Sequence, residues 1–122
     1  MIIAVTGDRH FDNRHHVQVG LHPYAEPGNV LLHGGAEGLD SLAHHVWTRT
    51  WQLPSVTVPA PWNRFGNQAG PIRNGAMLRG EWVPVRPDLL VVFPGGPGTA
   101  NCEAQARQLK IKIVPAQLPT DL

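Results

Sequence analysis

Three short apolar runs, each closing on a loop that carries glycine, constrain this chain more than any other feature. Residues 2–5 run into Thr6-Gly7-Asp8-Arg9, residues 30–32 into His33-Gly34-Gly35-Ala36-Glu37-Gly38, and residues 89–93 into Pro94-Gly95-Gly96-Pro97-Gly98-Thr99. Two further runs, 56–58 and 111–114, each end at a proline. The first three carry no polar residue, and the set is read as strands buried on both faces of a parallel sheet. Between them, residues 39–51 place Leu39, Leu42, Ala43, Val46, Trp47 and Thr50 at three- and four-residue spacings, which predicts an amphipathic helix. Residues 101–109 repeat the pattern more weakly with Ala104, Ala106 and Leu109, and 68–79 and 11–21 are further helical segments. Strands alternating with helices imply right-handed crossovers. The expected fold is therefore α/β: a Rossmann-like, doubly wound, mainly parallel five-stranded sheet with helices on both faces.

At 122 residues the chain suits one domain with one core, expected over residues 1–115 and followed by a short, proline-containing, frayed tail over 116–122. Thirteen glycines and twelve prolines do not signal disorder here, because most sit between the apolar runs, where turns belong. Ten Lys plus Arg nearly cancel nine Asp plus Glu, so neither a nucleic acid nor an acidic membrane is expected as the main partner. The single cysteine, Cys102, excludes an internal disulfide and a cysteine-cluster metal site and fits a reducing cytoplasm. The opening MIIAVTG does not read as a signal peptide, and no stretch approaches the ~20 apolar residues of a membrane span. A cytoplasmic protein needing no cofactor and no metal is expected.

In an open parallel sheet the carboxyl ends of the strands share one edge, so the three glycine loops converge where such folds bind ligands. Glycine lets the backbone approach a ligand, and the unpaired N–H groups and dipole of a helix N-terminus favour an anion. Phosphate is thus expected on Gly34, Gly35, Gly95, Gly96, Gly98 and Thr99, with Thr6 and Gly7 of the first loop beside them. The segment 62–77, WNRFGNQAGPIRNGAM, is too polar to be a core-building stretch. Its Arg73 suits a bidentate clamp on phosphate or carboxylate, or else a surface pairing with an acid such as Glu81. Arg9 is a second charged clamp, and Asn74 and Asp40 are further ligand contacts. Trp62, in a polar loop, is a base-stacking candidate, whereas Trp47 and Trp51, at i and i+4, belong to the core.

The pairs His15-His16 and His44-His45 do not form a chelate, since neighbours on a helix point about 100° apart; solvated helix faces are expected. His33 precedes a glycine loop and suits either a ligand contact or a turn cap. Cys102, just inside the last helix, is either a thiol made acidic by the helix dipole or a buried inert one.

Taken together, TGDR at 6–9, HGGAEGLDSLA at 33–43, PAPWNRFGNQAGPIRNGAM at 59–77 and FPGGPGTANCEAQA at 93–106 resemble the SLOG superfamily. That group includes the Lonely Guy phosphoribohydrolases and the Smf/DprA proteins, and the chain most resembles its YspA/YpsA-related, DUF2493-type members. The resemblance implies a Rossmann-like sheet, a pocket for nucleotides or nucleotide-derived molecules such as NAD-derived or cyclic signalling nucleotides, and a homodimer; so compact a stand-alone chain would suit a bacterium or a phage. In the phosphoribohydrolase branch an arginine of RKxxM and a glutamate of PGGxGTxxE support cleavage of an N-glycosidic bond. Arg73 matches the arginine, with Asn74 in place of the lysine and Met77 at the right spacing. The glutamate position falls on Cys102, with Glu103 one residue later, so Arg73 and Glu103 are the catalytic candidates of a departure from that pattern. Three functions are compatible with these residues. Binding of a phosphorylated nucleotide comes first, nucleotide N-glycosidase activity is the alternative, and single-stranded DNA binding is the least expected, because it needs a basic groove with aromatic platforms.

Overall fold

The computed structural model of the chain describes residues 1–119. Five strands, β1 (Ile2–Thr6), β2 (Val30–His33), β3 (Ser55–Thr57), β4 (Leu89–Val92) and β5 (Lys112–Pro115), form one sheet in the order β3-β2-β1-β4-β5. All four pairings are parallel. Each strand lies within two residues of its predicted span; β1, β2 and β4 are buried as their unbroken apolar runs predict, whereas the edge strands β3 and β5 are half-exposed. Among the described residues no helix is long and apolar enough to cross a membrane.

The pleat sends alternate residues to opposite faces, and two cores result. Ile3, Val5, Leu31, Leu89 and Val91 pack with helices α1 (Arg14–Leu21) and α2 (Leu39–His45) around Trp47 and Phe93. Ala4, Leu32 and Leu90 pack on the other side with Met77 and Leu78 of α4 (Ala69–Arg79) and Cys102 and Ala106 of α5 (Pro97–Gln108). A short helix α3 (Trp62–Phe65) precedes α4; at four residues it is too short to show a periodicity.

Several expectations are corrected. The helix predicted over 39–51 is α-helical only to His45 and continues as a π-turn over Val46–Thr50. The wider turn rotates the residues beyond it, so Thr50 is exposed instead of facing the core. Trp47 is fully buried, and Trp51 meets it edge to face at 5.9 Å between ring centroids. The last helix begins at Pro97, four residues before its predicted start at 101, because Pro at N1 is compatible with a helix. The tail is not frayed where it is described: Ala116 N–H bonds to Val92 O at 2.8 Å, and Leu118 packs on the core. Residues 120–122 of that predicted tail lie outside the described residues.

Helix α5 ends in a Schellman turn, with Ile111 N–H on Ala106 O (3.0 Å) and Lys110 N–H on Arg107 O (3.1 Å). Lys110 occupies the left-handed position at φ 59°, which glycine adopts without a Cβ penalty. Lys110→Gly is expected to stabilise the protein by about 0.5–1 kcal/mol, read as a higher thermal midpoint. An unchanged or lower midpoint would count against that cap geometry.

Candidate ligand pocket

The sheet's strand order reverses at β1, between β2 and β4, so the helices following β1 and β4 leave to opposite faces and a crevice opens at the strands' carboxyl ends. A cavity of about 520 Å³ occupies it, within the ~300–1,000 Å³ usual for small-molecule sites. Its walls are the loop after β1 (Thr6, Gly7, Arg9), the loop after β2 with α2 (Gly34, Asp40), Trp62 of α3, Arg73 and Asn74 of α4, and the start of α5 (Gly96, Gly98, Thr99). Two predicted contacts lie elsewhere. Gly35 faces Thr57, and Gly95 backs onto Thr99 and lines a neighbouring, more open depression of about 430 Å³.

Arg73 is the centre of the arrangement. It is 9% exposed and is not the surface partner of Glu81, which pairs instead with Arg79. Its Nε donates to Asn74 Oδ1 at 2.9 Å, and Nη1 donates to the carbonyls of Gly34 and of Val58, the latter at 3.2 Å. A Cβ at Gly34 would overlap the guanidinium, so any other residue there requires Arg73 to move. A clamp that offers both ends of the guanidinium to a ligand is therefore ruled out: Nη2 alone has no protein partner among the described residues. Asn74 is likewise committed, its amide donating to Asn101 Oδ1 at 3.2 Å, so it positions Arg73 and ties α4 to α5.

Asp40 is 8% exposed and is held by the N–H groups of Gly34 (3.1 Å) and Ala36 (3.3 Å), both on Oδ2. Burial raises its pKa from 3.8 to about 6, against the opposing pull of Arg73 and of the two backbone N–H groups. Burial lowers the pKa of Arg73, and the Asp40 charge opposes that shift. Gly38, whose φ is 75°, lets the turn before α2 press on the backbone of Asp8 and Arg9, where any Cβ would clash. Asp8 O then accepts the N–H of Leu39 at 3.0 Å, so the first loop caps α2.

The first turn of α5 has no side-chain cap, and its earliest backbone donation is Ala100 N–H to Gly96 O at 3.0 Å. The N–H groups of Gly98 and Thr99 have no backbone partner among the described residues and sit where the helix dipole is positive.

Other predicted residues fall differently. Glu103 is off the cavity and pairs with Arg107 at 3.3 Å, because one residue along a helix rotates a side chain by about 100°. Cys102 does line the cavity, but burial raises its pKa to about 11, outweighing a hydrogen bond from Thr6. It lies beyond the first turn of the lengthened α5, out of reach of a dipole effect. His44 is partly buried and not on a freely solvated face: its Nδ1 lies 3.0 Å from His33 Nε2 and 3.0 Å from Ser55 Oγ. Gly35 N–H donates to His33 Nδ1 at 3.0 Å, so the proton of neutral His33 is on Nε2, which lies 3.0 Å from His44 Nδ1 and 3.1 Å from Thr57 Oγ1. Burial, with His44 and Arg73 adding to it, lowers the His33 pKa to about 4. His33 is a turn cap, one of the two roles its position suited.

No family model matches the chain. A solved structure of DNA processing protein A from Helicobacter pylori, described for its single-stranded DNA binding mode, covers all of this chain with a TM-score of 0.71 at 15% identity. The chain spans 66% of that structure's length, and at this identity the likeness is one of fold. The Gene 61 protein of Mycobacterium phage D29 is 31% identical over 124 residues, which cover 92% of this chain and 93% of the relative. On that similarity, the chain belongs to the family of the mycobacteriophage Gene 61 protein.

Proposed function

We propose that the chain binds a small phosphorylated nucleotide in the cavity at the carboxyl edge of its sheet. The observation that carries this reading is the meeting, on one cavity, of a buried arginine with one uncommitted nitrogen and a helix whose first-turn N–H groups are uncapped. Both are donors to an anion, and both lie on residues that line the cavity. The likeness to DNA processing protein A supports the SLOG resemblance at the level of fold. Trp62, 58% exposed on the cavity wall, offers a face for the base. Native mass spectrometry against AMP, ATP, NAD, ADP-ribose and cyclic nucleotides tests the proposal. One retained ligand per chain supports it, loss of a base marks turnover, and no retained mass from any of them overturns it.

Replacement of Trp62 by alanine should weaken nucleotide binding about tenfold through lost stacking, while binding of ribose 5-phosphate moves less than twofold. Equal effects on both ligands in calorimetry would remove Trp62 from the base site.

A second reading, single-stranded DNA binding, gains from the fold of DNA processing protein A and from the exposed Trp62. It predicts oligo-dT affinity that falls steeply with salt in proportion to the phosphates contacted. Mononucleotide binding with little salt dependence separates the first reading from it.

A further inference from the structure

Resting on the nucleotide reading, we infer that Asp40 accepts a hydrogen bond from the ribose 2′-hydroxyl, so that the pocket selects ribonucleotides over 2′-deoxyribonucleotides.

Three features of the cavity match three parts of a nucleotide. The uncapped turn of α5 and Arg73 Nη2 are donors for the phosphate, and Trp62 is the exposed aromatic surface for the base. The third is Asp40, on the buried floor. Its Oδ2 takes both backbone N–H groups, which fixes the carboxylate plane. Its Oδ1 accepts from no described residue and, since no buried side-chain oxygen is left unpartnered, it opens on the cavity that this otherwise buried side chain lines. An ionised carboxylate oxygen only accepts, so what satisfies it must bring a proton donor. The nearby guanidinium of Arg73 attracts its charge and would repel an ammonium group. A neutral hydroxyl answers both conditions, and in a nucleotide the hydroxyls lie between the phosphate and the base.

The test is calorimetry of the unaltered protein at pH 7.5 with the common ribonucleoside 5′-monophosphates and their 2′-deoxy counterparts. A charge-assisted hydrogen bond predicts a preference of about 10- to 100-fold for the ribo form of whichever base binds best. A 2′-amino analogue, which keeps a donor, should bind like the ribonucleotide, and a 2′-fluoro analogue like the deoxynucleotide. In Asp40→Asn the amide oxygen can keep the two backbone bonds and turn its NH₂ towards the cavity, so the ribo-to-deoxy ratio should fall to within about threefold. Saturable binding with a ratio near one in the unaltered protein overturns the inference and leaves the nucleotide reading standing. An Asp40→Asn effect confined to bases that carry an exocyclic amine also overturns it, because Asp40 would then read the base. Absence of binding by every monophosphate overturns both.

Discussion

Replacing Arg73 with alanine is expected to destabilise the protein by about 3 kcal/mol and to abolish nucleotide binding. Both losses come from one side chain. Arg73 donates to the carbonyls of Gly34 and Val58, holding the loop after β2 against the segment after β3, and to the side chain of Asn74. Truncation leaves these buried acceptors short of donors and leaves Asp40 without the positive charge that lowers its pKa. Water entering from the cavity offsets some of that loss, which is why the expected figure lies towards the lower end for a broken buried charge pair. The thermal midpoint should fall, and amide exchange should quicken first at Gly34, Gly35 and Ala36. Arg73→Lys should rescue little, since one ammonium cannot reproduce a planar fork reaching two carbonyls. Adding Asp40→Asn to Arg73→Ala should recover part of the stability and none of the binding. A midpoint within a degree of the unaltered protein would mean that Arg73 does not brace the loops.

The fold was legible because its signals are local. Apolar runs, glycine at their ends and the three- and four-residue spacing of Leu39, Leu42, Ala43 and Val46 each lie within a dozen residues. They place the strands, and strand order then places the crevice. Most of the predicted wall residues do converge there, from Thr6 to Thr99. What was hidden is which groups the protein itself consumes. Arg73 and Gly34 are separated by 39 positions, and no spacing rule reveals that the guanidinium is spent on that carbonyl. The link between His33 and His44 spans 11 positions and turns a supposed solvated helix face into part of a buried loop support. Glu103 misses the cavity by one residue of helical phase, a misalignment visible in the sequence, whereas its pairing with Arg107 is a common i, i+4 surface contact.

The carboxylate of Asp40 shows what the site costs the fold. Its pKa is raised from 3.8 to about 6, so between those values the folded state binds more protons than the unfolded one. Stability contributed by this group is present at low pH and is lost as pH rises through about 6, a loss of about 3 kcal/mol. His33 has the opposite sign in nearly the same window. Its pKa is lowered from 6.5 to about 4, so its contribution is full above 6.5 and is lost as pH falls towards 4, again by about 3 kcal/mol. The two slopes nearly cancel, and the unaltered protein should lose little stability from these groups between pH 6.5 and 4. Asp40→Asn removes one slope. At pH 7.5 the variant should be about 2–3 kcal/mol more stable in urea denaturation, and it should then lose that advantage on acidification, converging on the unaltered protein near pH 4. A stabilised variant with poorer ribonucleotide selection is what a buried group kept for its ligand predicts. If Asp40→Asn is instead destabilised at pH 7.5 and parallels the unaltered protein down to pH 4, the Asp40 carboxylate is a structural strut, and its free oxygen has no claim on a ligand.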